Sequence, residues 1–129
     1  MDSGNHLIKK LEKATNEISI VAGIGVAGYN GDGMPAVMSA LNFPRGITGD
    51  TLGNIYIADY FNNRVRKINP AGIITTVAGT GELGSDGDDG LAIAAQLNGP
   101  RDVTLDYFGN LYISDSPNHQ VRVLSLIHI

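Results

Sequence analysis

Arg45 and Arg101 each follow a proline, in Pro44-Arg45 and Pro100-Arg101, at the start of a strand-like segment. A guanidinium offers a planar fork of donors that suits a carboxylate, a phosphate or a peptide carbonyl, which makes these two the candidate binding residues. The competing use is an ion pair to a neighbouring structural unit. Asp2, Asp59 and Asp115 each stand three residues before an asparagine, Asn5, Asn62 and Asn118. That spacing suits an Asx-type turn, in which carboxylate and amide satisfy nearby backbone N–H groups. The functional use, a ring of carboxylates around a cation, needs inward-facing side chains.

Asp86, Asp88 and Asp89 in SDGDDG crowd hard oxygens into one turn, as a calcium loop does, but the full EF-hand spacing and its distal Glu are missing. The corresponding YNGDG keeps only Asp32, so turn formation is the better account. His6 and His119 hold equivalent turn positions with Asn63 between them in the series. Neutral imidazole is a good metal ligand, yet without an acidic second shell these two read as surface turn residues. Gly23, Gly25 and Gly28, with the copy at Gly79 and Gly81, resemble a phosphate-binding pattern. No strand–glycine–helix unit surrounds them, and they read as loop residues at positive φ. There is no G-x-S-x-G elbow, Walker loop, H-E-x-x-H helix or CxxC pair. No catalytic residue, metal ligand or cofactor is assigned.

The elements that position these residues repeat. Val21-Ala22-Gly23 recurs as Val77-Ala78-Gly79, and the same step of 56 carries Leu41-Asn42 to Leu97-Asn98, Gly53-Asn54 to Gly109-Asn110, Asp59 to Asp115 and Val65-Arg66 to Val121-Arg122. An earlier copy ends at the N-terminus, where Asp2, Asn5 and His6 match Asp59, Asn62 and Asn63 at a step of 57. Within the whole repeat, PRGITGD, IYIAD, RVRKI and IITTVAG read as four short strands joined by turn formers. Such a unit is the blade of a propeller. The expected fold is all-β: a partial β-propeller of four-stranded antiparallel blades, with short helical turns in the long inter-blade loops at PAVMSALN and LAIAAQLN. Residues 1–22 are the end of one blade, 23–79 one whole blade and 80–123 most of a third.

Composition agrees. The 129 residues include 17 Gly and 43% hydrophobic residues, which favours many tight turns around a modest core. A formal charge of −4 gives no general attraction to nucleic acid. The absence of Cys excludes disulfides and thiolate chemistry and leaves the compartment open. No apolar run of about 18 residues exists to span a membrane.

The phrases GNIYIADYFNNRVRKI and GNLYISDSPNHQVRV resemble the strand-turn-strand signature of the NHL repeat family, and GDGMPAVMSALNFPRGI is similar to the loop of its long-repeat subgroup. The resemblance covers residues 2 to 123. Gln120 stands where the signature usually has a basic residue, and Asp89-Gly90-Leu91 replaces the Gly33-Met34-Pro35 pattern. The resemblance implies a fragment of a longer protein, a binding scaffold for a protein, peptide or carbohydrate. Its alternative is part of a six-bladed propeller enzyme, a lyase or lactonase with an axial metal. Alternate turns of an up-and-down blade open on the same end, so the long glycine-rich loops and the D-x-x-N turns are expected to share the ligand-bearing face.

Leu124–Ile129, reading LSLIHI, breaks the repeat and resembles the in-frame translation of a transposase adapter used in sequencing libraries. It is set aside from the fold, with His128 in it.

Overall fold

Runs of β-branched and aromatic residues, set apart by Gly, Asn and Pro, fold into the strands their spacing predicts. The computed structural model describes residues 2–82, 84, 91–115 and 120–125. Strands β1 (Ile8–Glu12) and β2 (Glu17–Ala22) form a hairpin. Strands β3 (Met34–Pro35), β4 (Pro44–Gly49), β5 (Ile55–Asp59), β6 (Arg64–Ile68) and β7 (Ile73–Ala78) make one antiparallel sheet in the order β3-β7-β6-β5-β4. Strands β8 (Asp102–Leu105), β9 (Asn110–Asp115) and β10 (Gln120–Ser125) make another, in the order β10-β9-β8.

The four-stranded antiparallel blade is β4 to β7. The long loop that precedes it adds a fifth, two-residue strand: Met34 and Pro35 pair with Ile74 and Ile73 on the free edge of β7. Pro lacks an N–H, which an edge position tolerates. The helical turns expected at PAVMSALN and LAIAAQLN are single turns of 3-10 helix, Ala36–Met38 and Ala92–Ala94. β10 continues through Ser125, with Leu124 opposite Leu111 and Ser125 opposite Asn110. The rest of the suspect tail, with His128, lies outside the described residues, as do Asp86, Asp88, Asp89, Asn118 and His119.

The core lies between blades. Ile57 and Ile74 face one side with Ile8, Ala22, Ala36, Leu41 and Ile68, joining the hairpin to the middle blade. Tyr56, Ala58, Val65 and Val77 face the other with Leu97, Val103, Leu111 and Ile113, joining it to the third. Alternation along β5 sends side chains to two buried faces, so IYIAD reads as a continuous apolar run and not as a half-buried strand. The first strands meet directly: a Cβ on Gly46 of β4 would lie 2.6 Å from the Asp102 Cα of β8. Glycine is needed there for that approach. No helix among the described residues is long and apolar enough to cross a membrane.

Candidate functional site

Two sets of turns lie at opposite ends of the middle blade. At one end, the turn after β5 touches the long loops: Asn62 Nδ2 donates to the Gly28 carbonyl at 2.8 Å, and Asn63 Nδ2 to that of Gly81 at 3.4 Å. At the other end, the turn after β4 lies beside the turn after β6, where a Cβ on Gly53 would meet Pro70 at 3.4 Å. The glycine-rich loops and the D-x-x-N turns therefore share a face. Gly23, Gly25, Gly28, Gly31, Gly33, Gly79 and Gly81 all adopt positive φ.

Asp2 and Asp59 do not cap the turns that follow them, as the Asx reading expects. Asp59 is fully buried, and its Oδ1 accepts the backbone N–H of Asn42, seventeen residues upstream, at 2.8 Å. Its Oδ2 accepts Asn62 Nδ2 at 2.7 Å and Arg66 Nη1 at 3.3 Å. Burial pushes the Asp59 carboxyl up, against the Asn42 amide, Asn62 and Arg66, which act the other way. Asp115 repeats the pattern with Asn98 N–H at 2.9 Å and Arg122 Nη1 at 3.4 Å. Asp2 does so with Asn5 at 2.9 Å and Lys9 at 2.8 Å. The cation that these carboxylates could have taken from solution is supplied by the chain, seven residues on in every copy. The repeat aligns Arg66 with Arg122, and only the fold joins each to its aspartate.

Asp32 joins the same network. Arg66 Nη2 donates to Asp32 Oδ1 at 2.9 Å and to the Gly31 carbonyl at 2.8 Å, and Thr76 Oγ1 donates to Asp32 at 3.0 Å. The loop aspartate thus clamps the long loop onto β6 and β7.

Asx geometry occurs instead at the opposite end, at residues the sequence reading left unassigned. Asp50 Oδ1 accepts the N–H groups of Leu52 at 3.0 Å and Asn54 at 2.9 Å, while Oδ2 accepts Asn54 Nδ2 at 2.9 Å and Tyr56 Oη at 3.2 Å. Asp106 makes the equivalent four bonds with Phe108, Asn110 and Tyr112. Burial raises the Asp50 carboxyl, but the four donors outweigh it and hold the group below the usual carboxylate range. The Asn110 amide leads the same lowering at Asp106. Burial, with the Asp50 charge beside it, pushes the Tyr56 phenol up to about 12. The repeated D-x-x-G-N-x-Y spacing was the available signal.

His6 is a joint between blades. Its Nδ1 accepts the Phe43 N–H at 2.9 Å, and Asn63, its counterpart, accepts the Gly99 N–H through Oδ1 at 3.0 Å. His6, Asn63, Phe43 and Gly99 all have left-handed backbones, at φ of 59°, 52°, 57° and 58°.

The two arginines singled out from the sequence come to one place. Arg45 Cζ lies 4.9 Å from the Tyr60 ring centroid and 5.4 Å from that of Phe43, and Arg101 Cζ lies 5.5 Å from the same Tyr60 centroid. Tyr60 opens the turn after β5 and leans on Gly99, where a Cβ would meet its Cε2 at 2.9 Å. Phe61 packs edge-on to Tyr60 at 4.6 Å and to Phe43 at 5.7 Å. Both arginines are exposed, and neither side chain makes an ion pair or hydrogen bond with a described residue. Cation–π contact holds each guanidinium in place and leaves its N–H groups open to solvent.

Comparison with known proteins fits this architecture. The family model of the teneurin NHL domain matches residues 5–86. Teneurin-1 of Gallus gallus is 35% identical over 92% of the chain, which spans 5% of that relative's length. A solved Bacteroides thetaiotaomicron protein of unknown function superposes with a TM-score of 0.82 at 26% identity, over 94% of this chain and 30% of its own. An auxiliary nutrient binding protein from Bacteroides ovatus gives a TM-score of 0.75 at 28% identity, over 94% and 32%. The chain belongs to the NHL repeat family, as part of a β-propeller matched by the teneurin NHL domain.

Proposed function

We propose that this segment belongs to a propeller that acts as a binding scaffold, taking a protein, peptide or carbohydrate ligand on the face that carries the long loops and the D-x-x-N turns. One observation carries the reading: Arg45 and Arg101, from consecutive blades, flank the single ring of Tyr60 with no ion pair to any described residue. Cations that served only to tie blades together would be neutralised as Arg66 is, by Asp59 and Asp32. The segment 26–33 and the turn 60–63 supply the surrounding surface. The similarity to an auxiliary nutrient binding protein supports the same reading.

The test is hydrogen–deuterium exchange on the complete propeller that contains this chain, with and without a panel of peptides and oligosaccharides. Ligand-dependent protection of 26–33, 43–45, 60–63 and 99–101 is expected. Protection confined to the opposite turns, 50–54 and 69–72, would refute it.

A further inference from the structure

Resting on that reading, we infer that Arg45, Tyr60 and Arg101 form a carboxylate subsite for an acidic oligosaccharide, a chain of linked uronic acids. Each guanidinium is fixed against an aromatic ring, both lie within 6 Å of the Tyr60 centroid, and neither spends its planar edge on a described protein acceptor. Two forks held around one ring are preorganised for two neighbouring carboxylates. Asp102, which follows Arg101, sits with its carboxylate against Gly46 and makes no ion pair with either arginine, so both forks keep their charge for a ligand.

The rings beside the forks select the carrier of those carboxylates. Phe61 is 58% exposed and packs edge-on against Phe43 and Tyr60, the two rings that carry the guanidiniums, so its own ring is the one open beside the forks. A uronic acid presents both matching parts on one rigid unit: a carboxylate, and a face of C–H groups that lies flat on an aromatic ring. An acidic peptide brings flexible carboxylates and no such face, and must lose more side-chain freedom to fit. Phe43 adds an independent sign. It keeps a left-handed φ of 57° where the next blade has Gly99 at 58°, so its ring is retained at a backbone cost that glycine avoids.

The probes are trigalacturonate, its neutral analogue galactotriose, and a glutamate-rich peptide of equal charge, each titrated calorimetrically into the complete propeller. Trigalacturonate is expected to bind at least about tenfold more tightly than either of the others, and more weakly as salt rises. Arg45→Ala and Arg101→Ala should each lower that affinity about tenfold at an unchanged melting temperature. Arg45→Lys and Arg101→Lys, which keep the charge and lose the fork, should also weaken it. Equal affinity for the acidic and neutral sugars, preference for the peptide, or unaltered affinity in the arginine variants overturns the inference. If the neutral sugar or the peptide still protects 60–63 and 99–101 from exchange, the scaffold reading stands and this subsite falls. If no probe protects that face, both fall.

Discussion

Asn63 Oδ1 accepts the backbone N–H of Gly99 at 3.0 Å, across a blade boundary, in the position where His6 Nδ1 accepts the N–H of Phe43 at 2.9 Å. An amide oxygen and an imidazole nitrogen thus do the same work in successive joints, each closing an otherwise unpaired N–H at the entry to the next first strand. In the complete propeller, His6→Asn should preserve stability to within about 0.5 kcal/mol, whereas His6→Ala and Asn63→Ala should each cost about 1 to 2 kcal/mol. Urea unfolding of the three variants checks the ranking. Equal losses for His6→Asn and His6→Ala would show that the imidazole is held for something other than acceptance of that N–H.

The buried Asp59–Arg66 pair sets a larger effect. Removing one member leaves the other desolvated without its partner, so Asp59→Ala or Arg66→Ala should cost about 3 to 5 kcal/mol. The double variant Asp59→Leu/Arg66→Met should cost much less than the sum of the single changes, because no fully buried charge is then left unpaired and the Asp32 carboxylate, 35% exposed, keeps its contact with solvent. Asp32 tempers this, since it still neutralises Arg66 when Asp59 is gone. Arg66→Ala should accordingly also loosen 28–32, seen as faster amide exchange there.

The Asp50 and Tyr56 network makes stability depend on pH in both directions. The Asp50 and Asp106 carboxyls are held below their unfolded values, so their contribution is complete above a pH of about 4 and fades as the pH falls through the folded values. Tyr56 moves the other way. Its folded value of about 12 exceeds the ordinary phenol value of 10.0, so its contribution is complete below pH 10 and is lost as the pH rises towards 12. Ultraviolet titration should show a tyrosine step for Tyr56 well above the ordinary phenol value of 10.0. Replacement by Phe should remove that late step.

Much of this architecture was legible because the repeat prints it. The step of 56 marks the recurring strands, IYIAD the buried β5, and the glycines the loops at positive φ. What repetition cannot show is who touches whom. Asp59, Asn62 and Arg66 recur together, yet the hydrogen bond from Asn42 that makes them a joint spans seventeen residues and follows only from the fold. Tyr60 was invisible for the opposite reason: its counterparts are Ser3 and Ser116, so no pattern marked it, although it is the residue that brings Arg45 and Arg101 together. β3 leaves no mark in the sequence, because two extended residues, one of them a proline, carry no periodicity.

Apolar surface at the two ends of the described sheets should govern how the isolated 129-residue chain behaves. Ile18 on β2 is 68% exposed and Val121 on β10 is 69% exposed, with Leu11, Ile20 and Val123 beside them. Stacked blades bury such faces, and a chain that presents two of them should self-associate. Sedimentation velocity should show concentration-dependent assembly, reduced by Ile18→Lys with Val121→Lys. A monodisperse monomer at all concentrations would contradict this.

Phe43 separates backbone from ring. Its φ of 57° strains any side chain that carries a Cβ, while Gly99 holds the equivalent position in the next blade at 58° without that cost. Phe43→Gly should therefore recover about 1 kcal/mol from the backbone. It gives up the ring contacts with His6 and Phe61, each an edge-on pair worth about 0.5 to 1.5 kcal/mol, so the net change in stability should be a loss of no more than about 2 kcal/mol. The bond from the residue 43 N–H to His6 survives the substitution, because it uses only backbone. Arg45, however, loses one of the two rings that fix its guanidinium. Affinity for an acidic sugar should then fall several-fold, by about 1 kcal/mol. A large drop in melting temperature with intact affinity would instead assign Phe43 to the joint between blades, and would leave its left-handed backbone without a functional reason.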